Sequence, residues 1–274
     1  MKKILSLVLA AVLLCTAVLS FTACGVKDMN KITEQGYFVC GVTPFENMNE
    51  KDENGEWTIG FETEFAMAVA RILGVEVRFQ EIDWGQKYNE LNSGAIDCIW
   101  NGFTANSSDE GIKRSDLVDF SYGYMLNQQC IVVKTENLAQ FTDEASLNGK
   151  SACAESGSAG AAYAKDVTDP SLVVDSAVSQ LAAFQEVKSG AVDFIVVDIL
   201  LAQNLCGKGD FANLSIVESI ELESEIYAIG FRKGSDMTEK VNAAIKQLEQ
   251  DGTLAALAEK YGFENVLKVS ETIE

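Results

Sequence analysis

Histidine is absent from all 274 residues. Without imidazole, a histidine-based catalytic triad and any zinc site that depends on histidine are excluded. Cations are scarce too: 21 Lys and Arg stand against 41 Asp and Glu, a formal charge of −20. Such a surface repels nucleic acid and anionic lipid headgroups and favours solubility, so no nucleic-acid partner is expected. No CxxC pair is present, which removes the commonest thiolate metal site. No metal site is therefore expected, and nothing in the composition calls for a cofactor or for catalytic residues.

What is present begins with the first residues. Lys2 and Lys3 precede an apolar run from Ile4 to Leu19, and Ser20-Phe21-Thr22-Ala23-Cys24-Gly25 follows with small residues before a cysteine. That order is the pattern of an export signal rather than a spanning helix. The stretch resembles a bacterial lipobox, with Phe21 where that pattern usually has Leu. The resemblance implies a signal peptide over 1–23, cleavage before Cys24, lipidation of Cys24, and a linker over 24–31. The chain is then expected on the outer face of the cell membrane, held by its lipid. Loss of residues 1–23 removes two lysines and no acid, moving the formal charge from −20 to −22. The remainder, about 250 residues, suits one large or two medium lobes.

Five cysteines then remain, Cys40, Cys98, Cys130, Cys153 and Cys206, an odd number at scattered spacings. This is no disulfide framework. Cys40, Cys98, Cys130 and Cys153 lie in short apolar runs, where free cysteine serves as a small hydrophobe.

Tyr37 to Val42 reads as a buried strand, and Asp52-Glu53-Asn54-Gly55 as a hairpin turn. Phe61, Phe65, Val69, Ile72 and Leu73 recur at helical spacing, with Gly74 as the stop; Val75, Val77 and Phe79 then alternate with charges at strand period. Strand, helix and strand in short succession predict a parallel sheet in an α/β domain. An internal repeat extends this. Glu90 to Ile99 matches Glu186 to Ile195 with six identities, each copy a helix end, a Gly stop and a buried strand. Two lobes with similar wiring follow. Ligands of open parallel sheets sit beyond the carboxyl ends of the strands. Those ends fall at Trp100 to Thr104 in one copy and at Val197-Asp198 in the other, so facing lobes would share one cleft. Cys130 to Lys134 and Ile226 to Phe231 are the candidate crossings, and two crossings make a hinge. The expected division is 32–132 plus 228–274 for lobe 1 and 133–227 for lobe 2.

These pieces resemble family 3 of the bacterial extracellular solute-binding proteins, the polar amino-acid binders of ABC importers. The resemblance rests on Gly60-Phe61-Glu62, Ser93-Gly94-Ala95-Ile96-Asp97, Val118-Asp119-Phe120-Ser121, Ser189-Gly190-Ala191-Val192-Asp193, and Asp251-Gly252-Thr253-Leu254 through Tyr261-Gly262. It implies the type II periplasmic-binding-protein fold, each lobe a parallel-rich sheet flanked by helices. It also implies capture of an amino acid by closure and delivery to a membrane permease. In that family an arginine of one lobe meets the ligand's carboxylate and an acid of the other meets its ammonium, because a buried zwitterion needs a charged partner at each end.

By that resemblance Arg114 is the carboxylate partner, at the family's spacing from Phe120-Ser121, although Asn106 to Glu110 looks expanded by about five residues. Asp198, after four apolar residues, is the ammonium partner; its other reading is an N-cap for the next helix. The backbone of Gly102 and the hydroxyl of Thr104 match positions that help hold the carboxylate. Gly157 and Ser158 match a turn at a helix N-terminus, where N–H groups favour an anion. Trp100 is a candidate pocket wall, equally readable as core, and Phe45 a candidate stacking platform. A monomer is expected. Two alternatives remain. One is a cyclohexadienyl dehydratase of the same fold with Glu155 as the acid, and the other a ligand sensor for a receptor. Only a short polar tail follows Gly262, which favours transport.

Overall fold

The computed structural model describes residues 26–273. The signal segment and Cys24 lie outside the described residues. In chain order the first part contains α1 (Asp28–Gln35), β1 (Tyr37–Val42), the hairpin β2 (Glu50–Lys51) and β3 (Trp57–Ile59), α2 (Phe61–Leu73) and β4 (Glu76–Glu81). It continues with α3 (Lys87–Ser93), β5 (Cys98–Ile99), the hairpin β6 (Ser108–Asp109) and β7 (Ile112–Lys113), α4 (Arg114–Leu117) and β8 (Asp119–Phe120). The long β9 (Gly123–Lys134) leads to β10 (Ala152–Glu155), α5 (Ala159–Val167), β11 (Val173–Ala177), α6 (Gln180–Ser189), β12 (Phe194–Asp198), α7 (Ile199–Leu205) and β13 (Leu214–Ile216). The return runs through β14 (Ser224–Tyr227) and β15 (Gly230–Phe231) to α8 (Met237–Gln250), α9 (Thr253–Tyr261) and β16 (Leu267–Ser270).

Two sheets share one wiring. Lobe one orders β4-β1-β5-β15-β8, with β1 parallel to β4 and β5, and β15 antiparallel to β5 and β8. Lobe two orders β11-β10-β12-β9-β13, with β10 parallel to β11 and β12, and β9 antiparallel to β12 and β13. The internal repeat has the same physical job in each. Gly94 and Gly190 end α3 and α6 in the left-handed conformation. The aspartate three residues later then clamps the neighbouring strand: Asp97 accepts from Val39 N–H at 3.0 Å, and Asp193 from Ser151 N–H at 2.8 Å.

The lobe-one core follows from the helical spacing. Phe61, Phe65 and Val69 of α2 are fully buried, as are Val241 and Ile245 of α8 and Phe38, Cys40 and Val42 of β1. Each such aliphatic or aromatic side chain contributes about 1.5–3 kcal/mol on leaving water. The span expected to be linker is partly structured: α1 starts at Asp28, whose buried carboxylate takes Arg232 at 2.7 Å and the Ser235 hydroxyl at 2.6 Å. That ion pair ties the start of the chain to the segment after β15, so residues 28–31 belong to lobe one.

The crossings are two neighbouring strands. The first half of β9 pairs with β14, from Gln128 opposite Ser224 to Met125 opposite Tyr227, and its second half enters the lobe-two sheet at Gln129 opposite Asp198. The outward crossing therefore precedes Cys130 to Lys134, which the apolar run had suggested; that run is lobe-two core. Two adjacent antiparallel strands at the waist are a compact hinge.

Candidate functional site

The carboxyl ends of β5 and β12 face each other, as the strand rule requires. Between them lies a chamber lined from lobe one by Trp84, Asn101, Gly102, Thr104 and Arg114 and from lobe two by Gln129, Glu155, Ser158, Ala159, Gln180 and Asp198. Its free volume is about 10 Å³. That is room for about one water, so the two lobes stand closed on each other here.

Arg114 opens α4 and is 1% exposed. The stretch that looked expanded against the family pattern is the β6–β7 hairpin, turned by Glu110 (φ 51°) and Gly111 (φ 80°), a two-residue loop of the primed kind. The hairpin brings Asp109 back onto Arg114: Oδ1 accepts from Nε at 3.0 Å and from Nη2 at 2.9 Å. Nη1 donates to the Thr104 carbonyl at 3.1 Å, and Nη2 reaches the Gly157 carbonyl of lobe two at 3.4 Å. Lys87, with no place in the sequence reading of the site, donates to the same Gly157 carbonyl at 2.9 Å and sits 3.4 Å from Asp109 Oδ2. Burial, with Arg114 next in weight, lowers the Lys87 ammonium to about 8. Burial alone would raise Asp109, but Arg114 and Lys87 hold it below its ordinary value.

Gly157 brings lobe two against lobe one. Its φ of 70° suits glycine, and a Cβ there would lie 3.2 Å from Gly85 Cα and 3.3 Å from Lys87 Nζ. Ser158 next to it is the N-cap of α5, its hydroxyl accepting from Ala161 N–H at 3.0 Å.

Asp198 ends β12 and is 5% exposed. It stands at the N-cap position of α7, but its side chain makes no capping bond. Instead Oδ1 accepts from Asn127 and Gln129, each at 2.7 Å, and Oδ2 from Gln180. The same two amides reach Glu225, at 2.6 and 2.9 Å. Burial raises Asp198, with the Gln180 amide pulling against it, and burial with the nearby Asp198 pushes Glu225 up to about 7. Glu155, at the end of β10, is 3% exposed; burial and then Asp198 push it up to about 8.

Several expected residues fall elsewhere or are otherwise engaged. The Gly102 N–H donates to Glu62 at 2.9 Å, and Tyr124 donates to the same oxygen, so that donor is used inside lobe one. Burial pushes Glu62 up to about 7. Thr104 lines the chamber. Trp100 does not: it is 1% exposed and packs edge-on to Phe65 with centroids 4.9 Å apart, a core position. Trp84 supplies the aromatic wall instead. Phe45 lies beside Gly102 but lines a separate apolar pocket of about 290 Å³ between Trp57 of lobe one and Leu181, Leu201 and Leu205 of lobe two. On the other flank, a pocket of about 480 Å³ shares Thr104, Gln129 and Ala159 with the chamber. Among the described residues no helix is long and apolar enough to cross a membrane, and no metal-binding group of His, Cys, Asp and Glu occurs.

Comparison with known proteins agrees with this architecture. The arginine-binding extracellular protein ArtP of Bacillus subtilis is 27% identical over 268 residues, which cover 95% of this chain and 98% of that protein. A substrate-binding protein of an ABC uptake transporter from Streptococcus pneumoniae, solved with bound histidine, superposes with a TM-score of 0.75 at 27% identity, covering 90% of this chain and 99% of that one. The ancestral amino-acid-binding protein AncCDT-1, a precursor of cyclohexadienyl dehydratase, superposes with a TM-score of 0.73 at 28% identity, covering 86% and 99%. Residues 38–265 match one family throughout, and the chain belongs to the bacterial extracellular solute-binding proteins, family 3.

Proposed function

We propose that this chain is the extracellular binding component of an ABC importer and captures an amino acid by closing its two lobes. The observation that carries the reading is the chamber itself: Arg114 of lobe one and Asp198 of lobe two face it from opposite sides, both buried. A zwitterion bridges that pair, carboxylate to guanidinium and ammonium to carboxylate, and each buried charge gains a partner. In the closed form the Gly157 carbonyl stands against Lys87 and Arg114. An entering carboxylate would replace it as their acceptor, with Thr104 and the start of α5 beside it. The ligand favours closure because only the closed form brings both ends of the site onto it.

Delivery to a membrane permease, lipid anchoring through Cys24 and action as a monomer complete the reading. They rest on the family and on the signal pattern of the first 24 residues. The assay is a thermal-shift screen of the refolded mature chain against the twenty amino acids. A ligand at a hundredfold excess over its dissociation constant adds about 2.7 kcal/mol of stability. A shift with one or a few amino acids that vanishes in Asp198→Asn supports the reading; no shift with any of them sinks it.

One observation favours a second reading, a dehydratase acting on cyclohexadienyl acids. Glu155 is buried at the chamber and, at about 8, protonated at neutral pH, as a general acid must be. Release of an aromatic product from such a substrate would establish it, and binding of an amino acid without turnover would remove it.

A further inference from the structure

We propose that the cleft is built for an amino acid whose side chain is positively charged, and that Glu155 receives that charge. The inference rests on the amino-acid reading of the chamber and adds the class of side chain.

Lobe two turns two buried acids to the chamber, and they are not equivalent. Asp198 is met on both oxygens by the amides of Asn127, Gln129 and Gln180. Glu155 is buried as deeply, yet its Oε1 has no hydrogen-bond partner among the described residues. An unmet carboxyl oxygen in a dry site costs the full desolvation of the group. Because this one opens on the ligand chamber, its donor is fitted to arrive with the ligand.

Charge then decides between a neutral and a cationic donor. A zwitterion uses Arg114 and Asp198. Asp109 is shared by Arg114 and Lys87, and Glu225 is held by Asn127 and Gln129. Glu155 is left over: burial first, then Asp198 and Asp83, oppose its ionisation while Lys87 favours it, and it is pushed up to about 8. A guanidinium or ammonium offsets those acids, whereas a neutral amide leaves the excess in place. The flanking pocket that shares Thr104, Gln129 and Ala159 with the chamber is lined by Glu144, Asp166, Glu221, Glu223 and Glu225 and by no Lys or Arg. A mouth of that sign concentrates cationic solutes before closure.

The test uses the full mature chain, refolded to strip endogenous ligand, and calorimetric titration with L-arginine, L-lysine and L-ornithine against L-citrulline, L-glutamine and L-glutamate. Citrulline has nearly the shape of arginine without its charge. At least one cationic amino acid is expected to bind about tenfold or more tighter than citrulline, a difference of about 1.4 kcal/mol. In Glu155→Gln that preference is expected to shrink to about threefold or less. The wild-type comparison stands even if that variant folds poorly. Citrulline, glutamine or glutamate binding as tightly as the cationic amino acids overturns the inference and leaves the amino-acid reading intact. If none of the twenty amino acids binds, the amino-acid reading fails and this inference with it.

Discussion

Asp109 grips Arg114 from the side, one carboxylate oxygen accepting from Nε at 3.0 Å and from Nη2 at 2.9 Å. This fixes the guanidinium plane and leaves its end facing lobe two, where the Gly157 carbonyl now stands. The hairpin that carries Asp109 is thus a support for the cleft, and it also fastens Lys87 through the other oxygen at 3.4 Å. A cation held in position before the ligand arrives loses less freedom on binding.

Removing the two members should therefore have unequal effects. Arg114→Ala takes away the carboxylate partner and is expected to cost about a hundredfold or more in affinity, since a buried charge left unpaired costs about 3–5 kcal/mol. Asp109→Ala keeps the partner but frees it, and is expected to cost about tenfold. It should also destabilise the ligand-free protein by about 1.5–3 kcal/mol, the worth of hydrogen bonds to charged groups. Titration calorimetry and urea unfolding read both. If Asp109→Ala binds as the wild type does, the clamp has no part in recognition.

Asp198 gives a sharper contrast, because its side chain has no duty to the helix it precedes. Asp198→Asn keeps the shape and the folded core but presents a neutral group to the ligand ammonium. Loss of about a hundredfold in affinity is expected, with a melting temperature only modestly below that of the wild type: a buried charge is removed, but the new Nδ2 meets an amide donor that the carboxylate oxygen had accepted from. A large fall in melting temperature would instead mean that Asp198 is structural, organising Asn127, Gln129 and Gln180 for the waist.

Much of this was legible in the residues. The Gly stops at Gly94 and Gly190 and the strands after them announce the two lobes, because helix termination and apolar runs are local properties. Asp198 stood out for the same reason, as an acid closing an apolar strand. The supporting polar shell was not legible. Asn127 and Gln129 lie in a polar stretch of the chain that gives no sign of a partner, and only the fold brings their amides onto Asp198. Lys87, between Trp84 and Tyr88, looks like any solvated lysine; its bond to the Gly157 carbonyl appears only when the two lobes meet. Asp109 was hidden in what looked like an insertion. For Trp100 the residues left two readings, pocket wall or core, because a residue ending a strand can point either way; it packs against Phe65.

The thiols allow a test of lobe integrity. Cys40 and Cys98 face each other from registered positions of β1 and β5, their sulfurs 3.4 Å apart and both fully buried. Cys130 and Cys153 are buried in lobe two, and Cys206 alone of these five is partly exposed. Burial lifts the Cys206 thiol to about 12, so even it should react slowly, because the thiolate is the attacking form. Mass spectrometry after mild alkylation is expected to find Cys206 modified first and the other four protected until the chain unfolds. Early modification of Cys130 or Cys153 would reveal local opening of lobe two in the native state.

The crowded acids of the cleft set the final expectation, which concerns pH. Burial raises Glu62 to about 7, Glu155 to about 8 and Glu225 to about 7, and it raises Asp198 as well. In the unfolded chain these carboxyls titrate at about 4. Between the two ranges the folded chain holds protons that the unfolded chain has released, so stability falls as pH rises. Their contribution is complete at acid pH, below the unfolded values, and is lost as pH climbs through about 7 to 8. Lys87, lowered to about 8, acts in the opposite sense but only above that pH. Asp109, held low, matters only in more acidic solution. Scanning calorimetry at fixed ionic strength should therefore show the ligand-free protein melting at a higher temperature at pH 5 than at pH 8. A saturating ligand that brings positive charge to Asp198 and Glu155 should flatten that slope, since it favours the ionised carboxylates. A ligand-free melting temperature that stays level or rises across this interval would mean that the acids are already relieved by solvent, and that the closed cleft is wetter than its 10 Å³ chamber implies.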